Sequence, residues 1–437
     1  MGKKDPAAMQ TASGIPKIKE IGTSFLFSEK EKQHLKKLGD RTAQIAALPV
    51  QKEKAELWRA HNDLKTSEPV VFIDPENGWN ECIPGNILLC EDPLARVWEM
   101  HLRKQIYWFE QLKDDKVIEN YFDVPYSYSD TGWGPALKKA GGEAGGAYKV
   151  VPVLNDYEKD LPGIHYPELL IDYEESERVM ELAHELFDGI LRVRRKTDWW
   201  WSLGLTMDYI NLRGLEDFMC DFLSEPESVH RTMHLLCEGV LRRLDFLEEH
   251  KLLAHNQDGT YVGSGGLGYT DDLQVPDKTA GAVTAKNMWG FVESQETTAI
   301  NPDLYGEFIF PYHKKIARRF GLNCSGCCEP YEPRWKYIKK LPNLRRVSCS
   351  PWSDWTTIPE NLGQKYIASV KPTPTPLALP HMDEEYVRKE IRKALRCTRD
   401  CVPEIIMKDN HTLGKNPKNA SRWVEIVREE VGGSLDK

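Results

Sequence analysis

Residues 288–292 read Met-Trp-Gly-Phe-Val, and Asn301-Pro302-Asp303 follows a short polar stretch later. An apolar run this short, bounded by polar residues, reads as a buried strand. Asn301 can cap a helix N-terminus, Pro302 suits the first helical position, and Asp303 puts an acid in the first turn. The pattern predicts a helix from there to about Phe320 and then repeats. Strand 321–325 precedes a helix near 335–341, and strand 345–350 precedes a short helix near 359–364. Strand 366–370 leads to helix 383–396, with Val387, Ile391 and Leu395 on one face. Strand 404–407 and a last helix bearing Trp423, Val427 and Val431 close the series. Strands alternating with helices at this spacing imply a parallel sheet.

Working upstream, Pro69-Val70-Val71-Phe72-Ile73 and the stretches 121–125, 199–205 and 259–263 are further strand candidates. Residues 77–90 read as loop or irregular cap, and 94–113 as helix. Between the last two upstream strands lies a long helix, opened by Ser224-Glu225-Pro226-Glu227 in the manner of a capping box. Its apolar face is Val229, Met233, Leu236, Val240, Leu244 and Leu247. The total of about eight strands, read from pattern, fits a (β/α)8 barrel. A doubly wound sheet would want a glycine fingerprint at a dinucleotide crevice, which is missing. Residues 1–65 divide off as a loose arm and helical extension, leaving 66–437 as the barrel. The run Gly141-Gly142-Glu143-Ala144-Gly145-Gly146 reads as a mobile surface loop, without the strand, helix and spacing of a phosphate loop.

The chain has 437 residues, with 58 Lys and Arg against 67 Asp and Glu, a net charge of −9. That balance disfavours nucleic-acid binding. Without a long apolar run no membrane span is expected. The start lacks the apolar stretch of a signal peptide, and Pro6 breaks a myristoylation motif. We therefore expect a cytoplasmic protein whose ten cysteines stay mostly reduced.

In a barrel of this kind the chemistry sits at the C-terminal ends of the strands. Glu293 and Glu296 follow strand 288–292, and Cys324-Ser325-Gly326-Cys327-Cys328-Glu329 ends the next strand. Cys349, Trp352 and Trp355 follow the third, Lys371 the fourth, and Lys408, Asp409 and His411 the fifth. Glu293, Cys324, Cys327, Cys349, Lys371 and Asp409 are therefore expected to approach one cavity. Thiolates are soft ligands, so Cys324, Cys327 and Cys328 with Glu293 and Cys349 form a candidate zinc set. The competing reading makes Cys324 and Cys349 small buried strand residues. A redox Cys-x-x-Cys would open a helix, which Gly-Cys-Cys-Glu-Pro does not do. Acids before a helix N-terminus often only serve its dipole, a reading that suits Glu296 better than Glu293. In Trp199-Trp200-Trp201 most of the aromatic surface is expected in packing, with one ring free to stack on a ligand.

Residues 301–312, Asn-Pro-Asp-Leu-Tyr-Gly-Glu-Phe-Ile-Phe-Pro-Tyr, with Lys315-Ile316 and Gly321, resemble the uroporphyrinogen decarboxylase superfamily. Leu212-Arg213-Gly214-Leu215-Glu216 before Leu223-Ser224-Glu225-Pro226-Glu227, and Met407-Lys408-Asp409-Asn410-His411-Thr412 before the last helix, extend the resemblance over roughly residues 70–432. It implies a (β/α)8 barrel. The decarboxylase branch carries N-terminal arginines for a substrate with many carboxylates; the stretch around Glu68-Pro69-Val70 offers none. The resemblance is closer to the corrinoid-dependent methyltransferases of the methylcobalamin:coenzyme M type. These hold a thiol acceptor on zinc through a His-x-Cys pair and a later cysteine. Here Asn323–Cys328 occupies the first position without histidine, and Val370-Lys371-Pro372 the second without cysteine, so a zinc set would be rearranged.

The expected function is thus methyl transfer between a small donor or acceptor and a cobalamin carried by a separate corrinoid protein, with zinc assistance. Glu293, Lys371 and Asp409 are the expected catalytic groups, and Trp352 and Trp355 the expected docking surface for the corrinoid. A homodimer is left open. The alternative is a metal-independent decarboxylase of a small acid, using a strand-end carboxylate and Lys371.

Overall fold

The computed structural model describes residues 17–141, 148–274 and 282–435. Most of the glycine-rich run at 141–146 lies outside them. Among the described residues eight strands lie in parallel ladders: β1 (Val70–Ile73), β2 (Tyr121–Val124), β3 (Arg192–Arg195), β4 (Trp289–Val292), β5 (Leu322–Ser325), β6 (Leu344–Cys349), β7 (Ile367–Val370) and β8 (Val402–Met407). Six of them form one sheet in the order β1-β8-β7-β6-β5-β4, while β2 and β3 form a separate pair. The fold is α/β.

The ladder pattern among the described residues stops short of the closed ring of eight expected from the sequence. At one opening, Asp115 donates its N–H to the Val71 carbonyl, and its carboxylate accepts from the N–H of Val71. At the other, the Leu203 N–H reaches the Phe291 carbonyl at 2.8 Å. These are isolated hydrogen bonds where a ladder would be.

The alternation of 288–431 is found with boundaries moved by one to three residues. The helix expected from Asn301 to Phe320 is broken into Pro302–Phe308 and Phe310–Ala317. Pro311 explains the break: it lacks an N–H and cannot sit in a helix interior, so the chain restarts with the proline in a first turn. Ser224 belongs to the end of helix Leu215–Ser224, and helix Pro226–Glu249 starts from Glu225 with no side-chain cap, so the capping box does not form. Ser28 and Glu31 do form one, at the start of helix Glu29–Ala46, which precedes helix Pro49–Asn62.

Two upstream strand expectations fail. Residues 199–205 are irregular: Trp199 packs on Tyr126 and Tyr128, Trp200 meets Phe320 edge-on, and Gly204 presses against the Glu293 backbone. Residues 259–263 contribute only Tyr261–Val262, one arm of an antiparallel hairpin with Gly266–Leu267.

Each sheet strand is buried on both faces, as parallel strands under helices must be. Val347, Cys349, Ala368 and Val370 face the helix layer, with Phe308, Ile316 and Ile358. On the other face Trp289, Phe291, Leu322, Cys324, Ile367 and Val402 pack together with Val262 of the hairpin. That face therefore carries the hairpin, and its strand ends carry the polar groups described next. Among the described residues no helix is long and apolar enough to cross a membrane.

Candidate active site

Glu293 directly ends β4 and is 2% exposed. The Ser202 hydroxyl donates to its Oε1 at 3.1 Å, and the Gln295 N–H to its Oε2 at 3.1 Å. Burial, reinforced by the Glu296 and Glu329 carboxylates, holds Glu293 well above the usual carboxylate range. These surroundings favour its protonated form, from which a proton can be released. Glu296 accepts from the Thr206 hydroxyl at 2.6 Å, which fixes it beside this site.

Glu329 ties β4 to β5. Its carboxylate accepts from the N–H of Ser294 at 2.8 Å and from the N–H of Cys327 at 2.8 Å. Cys327 follows Gly326, whose φ of 84° turns the chain sharply after β5. The Ser264 hydroxyl, at the hairpin tip, donates to Cys327 Sγ at 3.3 Å, and Lys408 Nζ lies 3.5 Å from the same sulfur. The Cys328 thiol is 3.7 Å away. The hydrogen bond with Cys328, together with the Lys408 ammonium, brings Cys327 down to about 7 against the opposing effect of burial. Lys408, the first residue after β8, also donates to Asp409 Oδ1 at 2.7 Å. The Cys328 thiol reaches Asp409 Oδ2 at 3.5 Å, and the Asp409 N–H donates to Glu76 after β1 at 3.0 Å. Burial and the neighbouring Asp74 push Glu76 up to about 7. A continuous polar chain thus links the ends of β4, β5, β8 and β1.

Lys371, the first residue after β7, is buried and donates to the Ser369 hydroxyl at 2.7 Å. Burial lowers it to about 8. Ser369 in turn donates to Glu404, which forms an ion pair with Arg346 at 2.9 Å. His61 Nε2 lies 3.2 Å from Glu404, and Asn62 accepts from Arg346 at 2.6 Å, so helix Pro49–Asn62 is joined to this buried network.

The expected zinc set is not gathered. Cys324 is taken by Arg346, whose Nη1 donates to its sulfur at 3.6 Å. Cys349 faces the helix layer, packed with Val347 and Val370, so its sulfur points away from Ser348, which bonds the Cys327 carbonyl. Among the described residues no three His, Cys, Asp or Glu side chains are placed to hold a metal ion. Of the five expected ligands only Cys327 and Cys328 touch, and the residues present do not fit a zinc ion.

Trp355 is buried, its indole N–H bonded to the Ser350 carbonyl at 2.9 Å. Trp352 is 76% exposed on the turn after β6. Trp201, 43% exposed, stands edge-on to Phe291 and lines a small cleft with Phe291, Trp289, Tyr261 and Asn256. Sequence reasoning missed Glu76 and Ser264. The strand-end rule could have found Glu76, three residues beyond β1. Ser264 sits in a glycine-rich run that carries no strand or helix period.

No family model matches the chain, and no curated protein matches it. Among solved structures it is similar to a methyltransferase from Methanosarcina mazei, with a TM-score of 0.44 and 12% identity over 75% of this chain and 85% of that one.

Proposed function

We propose that this chain is a methyltransferase that moves a methyl group between a small molecule and a corrinoid carried by a partner protein. The observation that carries the reading is Glu293: a buried carboxyl group whose surroundings favour the protonated form, fixed by Ser202 and the Gln295 N–H, at the C-terminal end of a parallel strand. A methyl group leaves a heteroatom readily only when the departing atom gains a proton, and a positioned acid supplies it. Burial of Glu293 keeps that proton in place until the substrate arrives. Phe291, two residues back on the same strand, lines the cleft that holds Trp201. Lys408 and Asp409 are paired after β8, and Lys371 carries a buried amine after β7. The partner's corrinoid would supply the cobalt that takes or returns the methyl group. Trp352, exposed after β6, offers apolar contact for that partner, whereas the buried Trp355 holds the turn beneath it. Zinc has no part in the proposal.

In this reading the two strands β2 and β3 fill the opening between β1 and β4, completing the (β/α)8 barrel that the motif order resembles. The Asp115–Val71 and Leu203–Phe291 contacts support that closure.

The test mixes the protein with reduced free cobalamin and a panel of candidate methyl donors, and follows methylcobalamin by its absorption spectrum. Donor-dependent methylcobalamin formation is expected. Release of carbon dioxide from a small acid, with no methylcobalamin from any donor, would replace this reading by the decarboxylase one.

A further inference from the structure

Cys327 and Cys328 are adjacent in sequence and their sulfurs stand 3.7 Å apart. The other two sequence-candidate thiols are committed elsewhere, Cys324 to Arg346 and Cys349 to the helix layer. Around the pair the groups are asymmetric. Cys327 has an ammonium at 3.5 Å and a hydroxyl at 3.3 Å, both stabilising a thiolate. Cys328 has a carboxylate at 3.5 Å, placed to receive a proton. Cys327 is 2% exposed, while Cys328 is partly exposed beside Asp409, whose side chain is 43% exposed. A small oxidant can therefore approach from the Asp409 side.

We propose that Cys327 and Cys328 are a modification site: a hydroperoxide converts them to a disulfide between neighbouring residues, and this switches the site off. The Cys327 thiolate attacks one peroxide oxygen. The O–O bond breaks, a sulfenic acid forms, and the departing hydroxide or alkoxide takes a proton from Lys408. The Cys328 sulfur then attacks Cys327, its proton passing to Asp409. The S–O bond breaks, and the hydroxide leaves as water with that proton. Two thiols are oxidised by two electrons and one hydroperoxide is reduced, giving the disulfide, one water and one alcohol or second water. A thiol reductant reverses it. Closing the ring withdraws Cys327 from Lys408 and Ser264, two of the contacts that join β5 to β8 and to the hairpin. The disulfide itself does not depend on the methyl-transfer reading; the loss of activity rests on it.

The test treats the native full chain with hydrogen peroxide, unfolds it, alkylates free thiols without reduction and examines the tryptic peptide 320–334, which holds Cys324, Cys327 and Cys328. One alkyl group is expected, on Cys324, with the other two sulfurs lighter by two hydrogens together. Dithiothreitol before alkylation should restore all three. In C328S, Cys327 should stop at sulfenic acid and be trapped by dimedone. Three alkyl groups after peroxide, or a bond joining Cys324 to Cys327, would overturn the site. Methyl transfer should fall in step with the disulfide and return with dithiothreitol. A disulfide that forms while transfer continues unchanged would overturn the switch and leave the methyl-transfer reading standing. Absence of transfer before any peroxide would instead remove that reading and the switch, with the peptide result still deciding the disulfide.

Discussion

Glu76 shows how one buried carboxyl ties this site to pH. Its pKa in the fold is raised to about 7, so the folded chain keeps a proton that the unfolded chain gives up near the ordinary carboxylate value. The associated stability is full below that ordinary value and is lost as pH rises through about 7. Glu76→Gln should therefore flatten the fall in unfolding free energy between about pH 5 and about pH 8, by about 1–3 kcal/mol. Urea melts of both proteins at the two pH values check this; parallel pH profiles would contradict it. The sequence placed Glu293, Lys371 and Asp409 at strand ends, and the structure puts all three there. It could not separate Cys327 from Cys349, because both stand at strand ends and are buried. Only the face decides, and a one-residue step along a strand reverses the face.

Among the elements, the hairpin 261–267 matters most to the site and was the least visible. Three glycines in it let the backbone lie against strand side chains; a Cβ on Gly263 would stand 2.8 Å from Cys324 Sγ, and one on Gly266 would stand 2.3 Å from the Arg346 guanidinium carbon. Gly263 also has φ +65°, where a side chain is strained. Gly263→Ala should lower stability by about 1–3 kcal/mol and move Ser264 off Cys327. Thermal melting and the alkylation rate of Cys327 measure the two effects, and an unchanged rate with an intact fold would detach the hairpin from the thiol. Periodicity located β4 to β8 because apolar runs there alternate with helices. It misread 199–205, since tryptophans chosen for packing on Tyr126, Tyr128 and Phe320 look like strand residues. It misread 301–320 because the helix pattern continues through Pro311 although the hydrogen bonds cannot.

At the scale of the whole molecule, Arg346 and Glu404 join β6, β8 and helix Pro49–Asn62 through His61 and Asn62. Burial works against ionised Glu404, but Arg346 and His61 hold it well below the usual carboxylate range. Removing one partner strands a buried charge, so Arg346→Leu should cost about 3–5 kcal/mol, and Arg346→Leu with Glu404→Leu should cost less than Arg346→Leu alone. Chemical denaturation of the three proteins tests this; a double variant weaker than the single one would contradict it. The central claim, however, rests on Glu293. The most direct measurement compares methyl transfer to free cobalamin by the native protein and by Glu293→Gln, with melting temperatures taken alongside. Glutamine has a single acceptor oxygen, so it keeps one of the two hydrogen bonds from Ser202 and Gln295, and it has no acidic proton. A rate lower by about 10²-fold or more is expected, at a nearly unchanged melting temperature. Equal rates, or a rate loss matched by an equal loss of stability, would contradict it.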